Sequence, residues 1–510
     1  MNPTLAATSS STHERRWWIL AVLCLSLSII GLDNTILNVA IPTIQQEFAA
    51  TGSELQWIVD SYILVFAGLL LTMGTLGDRF GRNRALQAGL VIFGVASLGA
   101  AYADSSAQLI VGRSIMGIGG ALIMPATLSI IINVFPREER GRAIAIWAGV
   151  SGAAIGLGPL LGGLLLEYYW WGSVLLINVP IVIVALLAGW FLIPESKDPS
   201  AGHLDLTGAA LSIAAISVLL YGIIEAPTHG WLDPLVLIAF AGAVILGAGF
   251  FLWERRTTSP MLDLDLFRNL RFSLGTGAIA ISFLALFGSV FALTQYLQFV
   301  QGYTPLEAGV RMIPVALGIM IGAGRSHILV RKLGTTRVVA GAMIGLALVL
   351  GSIAFWTPET SYWIVGTTFF LLTLMMGNIM APSTDSVMGA VPEEKAGVGS
   401  AMNDIAREVG GALGVAVIGS VLNTVYADRM SDTAATLPPE VAEPAQDSIG
   451  PAIHIAANIG GDLGASIVRA ADNAFVDGLG FAVVIASATA LVGGMLVARF
   501  MPRAEREPTH

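Results

Sequence analysis

Apolar runs long enough to cross a lipid bilayer recur along nearly the whole chain, and no other property constrains its fold as strongly. A spanning helix needs roughly 20 residues, because the hydrocarbon core is about 30 Å thick and a helix rises about 1.5 Å per residue. Fourteen such runs lie at 17–40, 54–76, 84–103, 107–134, 142–166, 173–193, 206–225, 234–253, 272–300, 305–330, 334–356, 362–389, 396–424 and 475–500. Inside lipid each backbone N–H and C=O must find its partner within its own segment. The expected fold class is therefore all-α integral membrane, with 14 transmembrane helices. Only 12% of the residues are charged, against about 25% in soluble domains. The first run follows Arg15 and Arg16 as a secretory signal would, but it is too long for a signal core and is expected to stay in the membrane.

The net charge of -9 hides a sorting of charge by side. With the N-terminus placed inside, 21 of the 26 lysines and arginines fall on the inner side. Two, Arg429 and Arg469, fall outside, and three, Arg113, Arg311 and Arg407, lie within spans. Short cytoplasmic loops retain basic residues, so both termini are expected in the cytoplasm of a plasma (inner) membrane protein. Residues 1–16 and 501–510 then form cytoplasmic tails, and the lipid bilayer itself is a partner. The outer breaks carry interfacial aromatics such as Tyr168, Trp170, Trp231 and Trp363. The inner segment 255–271 is expected to include a short surface helix. For the acidic outer segment 425–474, a hairpin lying on the outer face and a flexible loop both fit.

A charge at the bilayer centre costs at least about 2.5–3.5 kcal/mol, so each one inside a span is a functional candidate. Asp33 lies about 24 Å along the first span from the inner surface, and Arg113, on a span running the other way, lies about 9 Å below its outer start. Asp60 sits at a similar depth. An Asp33 to Arg113 pair would neutralise both charges, either as a permanent structural link or as a switch broken by a proton or a cation. In the thirteenth span, Asp404, Arg407 and Glu408 fall at i, i+3 and i+4 and share one helical face. Arg311 falls near the depth of Glu408 and is a candidate partner for it. Asp404 has a second reading, as a hydrated residue near the inner surface.

Glycines punctuate two segments. Gly74-Thr-Leu-Gly77-Asp78-Arg79-Phe-Gly81-Arg82-Asn-Arg84 joins the second and third spans, and there Asp78, Arg79 and Arg82 could lock onto the other inner loop, Pro136 to Arg142, to gate the inner mouth. The fifth span holds Gly152, Gly156, Gly158, Pro159, Gly162 and Gly163, a small-residue stripe for close helix contact with a proline bend.

Together with Leu109-xxx-Arg113-xxx-Gly117, these segments strongly resemble the signature loop, fourth-helix arginine motif and antiporter motif of the major facilitator superfamily, over essentially the whole chain. Leu32-Asp33-Asn-Thr35, Trp57-Ile-Val-Asp60-Ser-Tyr62, Pro260-Met-Leu-Asp263 and Asn403-Asp404 are similar to segments of its fourteen-helix drug:proton antiporter branch, the quaternary ammonium exporters above all. The resemblance implies two six-helix bundles, 17–193 and 272–500, with two inserted helices in 194–254 and the linker 255–271. It implies a proton-coupled antiporter that exports lipophilic cationic drugs by alternating access, driven by the proton gradient with no cofactor. Asp33 with Arg113 would couple protons, and Asp33, Asp60, Tyr62, Asp404 and Glu408 would bind substrate. The chain is expected to function as a monomer and without nucleic acid.

No nucleotide-binding G-x-x-x-x-G-K-[ST] sequence, paired-histidine zinc motif or cysteine cluster is present, and Cys24 is the single cysteine. An ATP-driven pump and a metalloenzyme are disfavoured. The rival readings are export of an endogenous lipid, siderophore or peptide and, from a different class, a membrane-embedded enzyme or receptor.

Overall fold

The computed structural model describes residues 3–48, 50, 52–198, 205–258 and 260–502. Most of the expected C-terminal tail, 503–510, lies outside the described residues. Among the described residues the chain is helical, without strands, and fourteen helices are long and apolar enough to span a membrane.

The first bundle consists of α1 (Pro3–Phe48), α2 (Gly52–Phe80), α3 (Arg82–Ala101), α4 (Ser106–Val134), α5 (Arg137–Tyr168) and a sixth span split into α6 (Ser173–Leu176) and α7 (Asn178–Leu192). An inserted hairpin follows, α8 (Leu206–His229) and α9 (Pro234–Glu254). The second bundle begins with α10 (Leu270–Gln295) and a tenth span split into α11 (Pro305–Arg311) and α12 (Ile313–Leu333). It continues with α13 (Thr335–Ile353), α14 (Tyr362–Gly389) and α15 (Ala396–Ala434). After α16 (Pro439–Asp447) and α17 (Ile449–Ile459), it closes with α18 (Gly461–Phe500). The bundles meet where α5 packs on α12 and α14 and where α15 packs on α2 and α4, while α8 leans on α2 and α15.

A glycine turn recurs at corresponding places in the two bundles. Gly81 between α2 and α3 has φ +122, and Gly334 between α12 and α13 has φ +83. Side-chain-bearing residues rarely adopt such angles, so the same glycine turn sits in both halves. A Cβ at Gly81 would also meet the Glu195 carboxylate at 2.6 Å. That carboxylate accepts hydrogen bonds from the Asn83 and Arg84 backbone N–H groups at 3.1 and 3.2 Å, capping α3.

The linker contains one 3₁₀ turn, Leu264–Arg268, capped by Asp263. The last two long spans exceed their apolar runs: α15 continues past 424 to Ala434, and α18 begins at Gly461 instead of 475. Hydropathy marks only the part of a helix that lipid covers, and both helices carry polar turns beyond it. The segment between them is a packed helical hairpin and not a flexible loop. Tyr426 donates to the Ala445 carbonyl at 3.1 Å, Gln446 to the Ala427 carbonyl at 3.1 Å, and α17 buries Ile449, Ala452 and Ala456.

Candidate functional site

In the first bundle, α1 brings Asp33, α4 Arg113, α2 Tyr62 and α7 Asn178 to one buried point. Glycines let α4 come this close to α2: a Cβ at Gly117 would meet the Tyr62 carbonyl at 2.8 Å, and one at Gly120 the Tyr62 hydroxyl at 3.0 Å. Asp33 is fully buried and Arg113 is 2% exposed. The Arg113 Nη1 pairs with Asp33 Oδ2, and Asn178 Nδ2 donates to Oδ1 at 3.2 Å and to Ser97 Oγ at 3.1 Å. Arg113 Nε donates to the Ile58 carbonyl at 3.2 Å, and the guanidinium lies 4.4 Å above the Tyr62 ring. A buried ion pair holds only when further hydrogen bonds satisfy its remaining atoms, and here both residues have them. Asp33 and Arg113 therefore meet, as their matching depths along the helices allow.

The second bundle holds a looser set. Asp404 is fully buried and Arg407 is 2% exposed, with Arg407 Nη1 3.8 Å from Asp404 Oδ1. Asn403 donates to Asp404 Oδ1 at 3.2 Å and accepts from Thr384 at 2.9 Å. None of the Arg407 nitrogens donates a hydrogen bond to a protein acceptor. Its guanidinium lies 4.7 Å from the Trp147 ring of α5 and 5.5 Å from the Phe283 ring of α10. Trp147 is anchored by its indole N–H, which donates to Thr127 Oγ1 at 3.1 Å. Glu408 is half-buried on α15, which packs on α2 and α4, the helices of Tyr62 and Arg113. The reading of Asp404 as a hydrated inner-surface residue fails, because helices pack around it on every side.

The basic end is closed by a latch between the bundles. Asp78 Oδ2 accepts from the backbone N–H groups of Gly397 and Val398 at 2.8 and 3.3 Å, capping the N-terminus of α15, while Oδ1 accepts from Arg82 Nε at 2.8 Å. Arg82 Nη2 reaches the Glu393 and Glu394 carbonyls at 2.7 and 2.9 Å. A Cβ at Gly74 would meet the Gly397 carbonyl at 2.5 Å. The expected lock of Asp78 onto the 136–142 loop is thereby corrected. A carboxylate at this position finds unsatisfied N–H groups at a helix start, and the loop joins the same latch from its own side, Arg140 pairing with Glu393 at 2.8 Å. Arg79 lies with its guanidinium 5.4 Å from the Phe80 ring.

The stripe in α5 serves two contacts. Gly152, Gly156 and Gly163 face Ile319, Ala316 and Leu306 of the second bundle, whereas Gly158 and Gly162 face Thr35 and Ile36 of α1. Pro159 lies between them, against Gly309. Thr35 Oγ1 donates to the Ile155 carbonyl at 3.1 Å. The turns around Asp33 are thus fixed to the helix that carries the bundle boundary.

Arg311 does not partner Glu408. Its guanidinium stacks 3.7 Å from the Tyr303 ring and 5.6 Å from the Tyr362 ring, because the break before α12 turns it toward the aromatic end of the span. Asp60 is half-buried on α2. Its neighbour Ser61 lines a cavity of about 420 Å³ between α2, α4 and α8, whose walls carry no charged side chain. Sequence reasoning missed Asn178, Trp147, Phe283, Glu393 and Gly397. The cost of a polar group in lipid could have flagged Asn178, which lies inside an apolar run. A mid-span aromatic or a glycine carries no such signal.

Fourteen apolar helices packed as two bundles, each with a buried charged set, have the architecture of a membrane transporter. A sequence model of the Major Facilitator Superfamily matches residues 23–415, and the chain belongs to that family. It is 35% identical to the multidrug efflux pump LfrA of Mycolicibacterium smegmatis, over 98% of this chain and 99% of LfrA. It is 34% identical to the tetracenomycin C resistance and export protein of Streptomyces glaucescens, over 98% and 94%. It is 35% identical to the methyl viologen resistance protein SmvA of Salmonella typhimurium, over 91% and 93%. The crystal structure of the human organic anion transporter MFSD10 (TETRAN) superposes with a TM-score of 0.63 over 94% of this chain and 98% of that one, at 16% identity, a likeness of fold.

Proposed function

We propose that the chain exports lipophilic cationic drugs, quaternary ammonium compounds and dyes among them, in exchange for protons by alternating access. The basic end faces the cytoplasm, with both termini on that side. The observation that carries this reading is the buried Asp33–Arg113 pair, and on this reading a proton and an incoming cation compete with the arginine for the one carboxylate. A cation drawn in by Asp33, Asp60, Asp404 and Glu408 competes with the arginine for the carboxylate. Protonation of Asp33 then removes the charge that holds the cation, and the drug leaves on the far side. The Asp78–Arg82 latch and the α5 glycine stripe let the bundles rock between the two openings. The similarity to drug efflux pumps over nearly the full chain supports drugs as the cargo.

Energetics set the exchange ratio. Moving one charge against 100 mV costs about 2.3 kcal/mol, so one-for-one exchange with a monovalent cation draws on the pH gradient alone, and a second proton brings in the membrane potential. The test is ethidium/proton exchange by the purified protein in liposomes. An imposed proton gradient should drive ethidium movement and ethidium should drive proton movement. Ethidium flux that ignores the gradient would make the protein a passive facilitator.

A further inference from the structure

Arg407 is a buried cation in an unusual setting. Arginine presents five N–H donors, and a guanidinium withdrawn from water normally finds acceptors for them. Here it lies against two ring faces and keeps an ion-pair distance of 3.8 Å from Asp404, with no hydrogen bond donated to the protein. The Trp147 indole N–H is engaged with Thr127, which leaves the π face of the ring toward the arginine. The surroundings of Arg407 thus supply aromatic faces, which attract cations, and negative charge from Asp404 and Glu408, but no acceptor within hydrogen-bond distance. Those are the requirements of a cation without N–H or O–H donors, such as a quaternary ammonium or phosphonium group.

We infer that the Trp147–Phe283 pair is a cation site and that Arg407 is its built-in occupant, an internal competitor that takes the place of the transported cation when the basic end is closed. The inference rests on the export reading above and adds to it a named site and a release step. Trp147 belongs to α5 of the first bundle, Arg407 and Phe283 to α15 and α10 of the second. The latch at Gly397 lies about 15 Å from Arg407 along α15. Opening that latch separates the bundles at this level and lifts the arginine off Trp147, freeing the ring face for a cation from the same side. Reclosing returns Arg407 to the ring and displaces the cation toward the opposite opening.

The test is a binding cycle with tetraphenylphosphonium on the full-length protein in lipid nanodiscs, with variants Arg407→Gln, Trp147→Leu and both together. Arg407→Gln should tighten binding about tenfold, or about 1.4 kcal/mol, and slow ethidium export, because the displacing charge is gone. Trp147→Leu should weaken binding by a similar factor. In the double variant the gain from Arg407→Gln should vanish, since the face it uncovers is absent. Should Trp147→Leu fail to fold, Trp147→Phe carries that arm, with a loss of about threefold from its weaker ring. Binding by Arg407→Gln that is unchanged or weaker overturns the inference. So does a gain that survives loss of the indole, which would mark a general charge effect. A wild-type protein that exports and binds the probe while the cycle is additive overturns this inference alone, whereas a wild type that neither binds nor exports it overturns the export reading as well.

Discussion

In the first bundle the Asp33 carboxylate has both oxygens engaged, by Arg113 and Asn178, and the arginine has a further acceptor in the Ile58 carbonyl. In the second bundle Arg407 stands 3.8 Å from Asp404, donates no hydrogen bond and rests on aromatic rings. Composition is alike, since each set has an aspartate, an arginine and an aromatic face. What differs is how completely the charges are satisfied. A saturated pair yields only when a proton or a competing cation removes the reason for it, so it suits coupling. A loosely held guanidinium can be exchanged for another cation at little loss, so it suits binding and release.

The largest expected effect lies in the saturated pair. Asp33→Ala leaves Arg113 buried without its counter-charge and should destabilise the protein by about 3–5 kcal/mol, read as a fall in thermal unfolding temperature in detergent. Adding Arg113→Gln should restore more than half of that fall, because replacing both members of a buried pair is far milder than removing one. If the double variant is as unstable as the single, the pair is not the stabilising unit. Next comes the latch. In Gly397→Val the new Cβ would press on Asp78 Cγ at 2.7 Å and on the Gly74 carbonyl, so the basic end should no longer close. A cysteine introduced at the buried Ser400, in a Cys24→Ser background, should then react with maleimide about tenfold faster, the equivalent of about 1.4 kcal/mol in opening. Unchanged labelling would show that α15 does not need this contact to stay shut. The smallest effect belongs to the loose pair: Asp404→Asn should cost about 1 kcal/mol, since no hydrogen bond from Arg407 is lost and Glu408 remains as its counter-charge. A cost equal to that of Asp33→Ala would erase the contrast between the bundles.

The fourteen spans and the shared depth of Asp33 and Arg113 were legible in the chain, because the penalties of polar backbone and charge in lipid are large, whereas the inserted hairpin was implied by the family resemblance. Partnerships across the bundle boundary were not legible. Asp78 finds Gly397 and Val398 more than three hundred residues away, and nothing in Gly397 marks it as the start of a helix that a distant carboxylate caps. Arg311 was misassigned because depth places a residue along the membrane normal but not around the helix axis, and Tyr303 and Tyr362 lie on the side it faces. The hairpin between α15 and α18 was ambiguous for a related reason: α16 and α17 are amphipathic pieces too short to span, and only their contacts with α15 and α18 give them a surface to cover.

The most direct test of the division of labour between the bundles is cation-driven proton movement in vesicles loaded with a pH-sensitive dye, with Asp33→Asn and Asp404→Asn measured side by side. Asp33→Asn should abolish proton movement when tetraphenylphosphonium is added, while Asp404→Asn should slow it and leave the exchange coupled. Proton movement that persists in Asp33→Asn at the wild-type rate, or is lost only in Asp404→Asn, would contradict the assignment of coupling to the saturated pair.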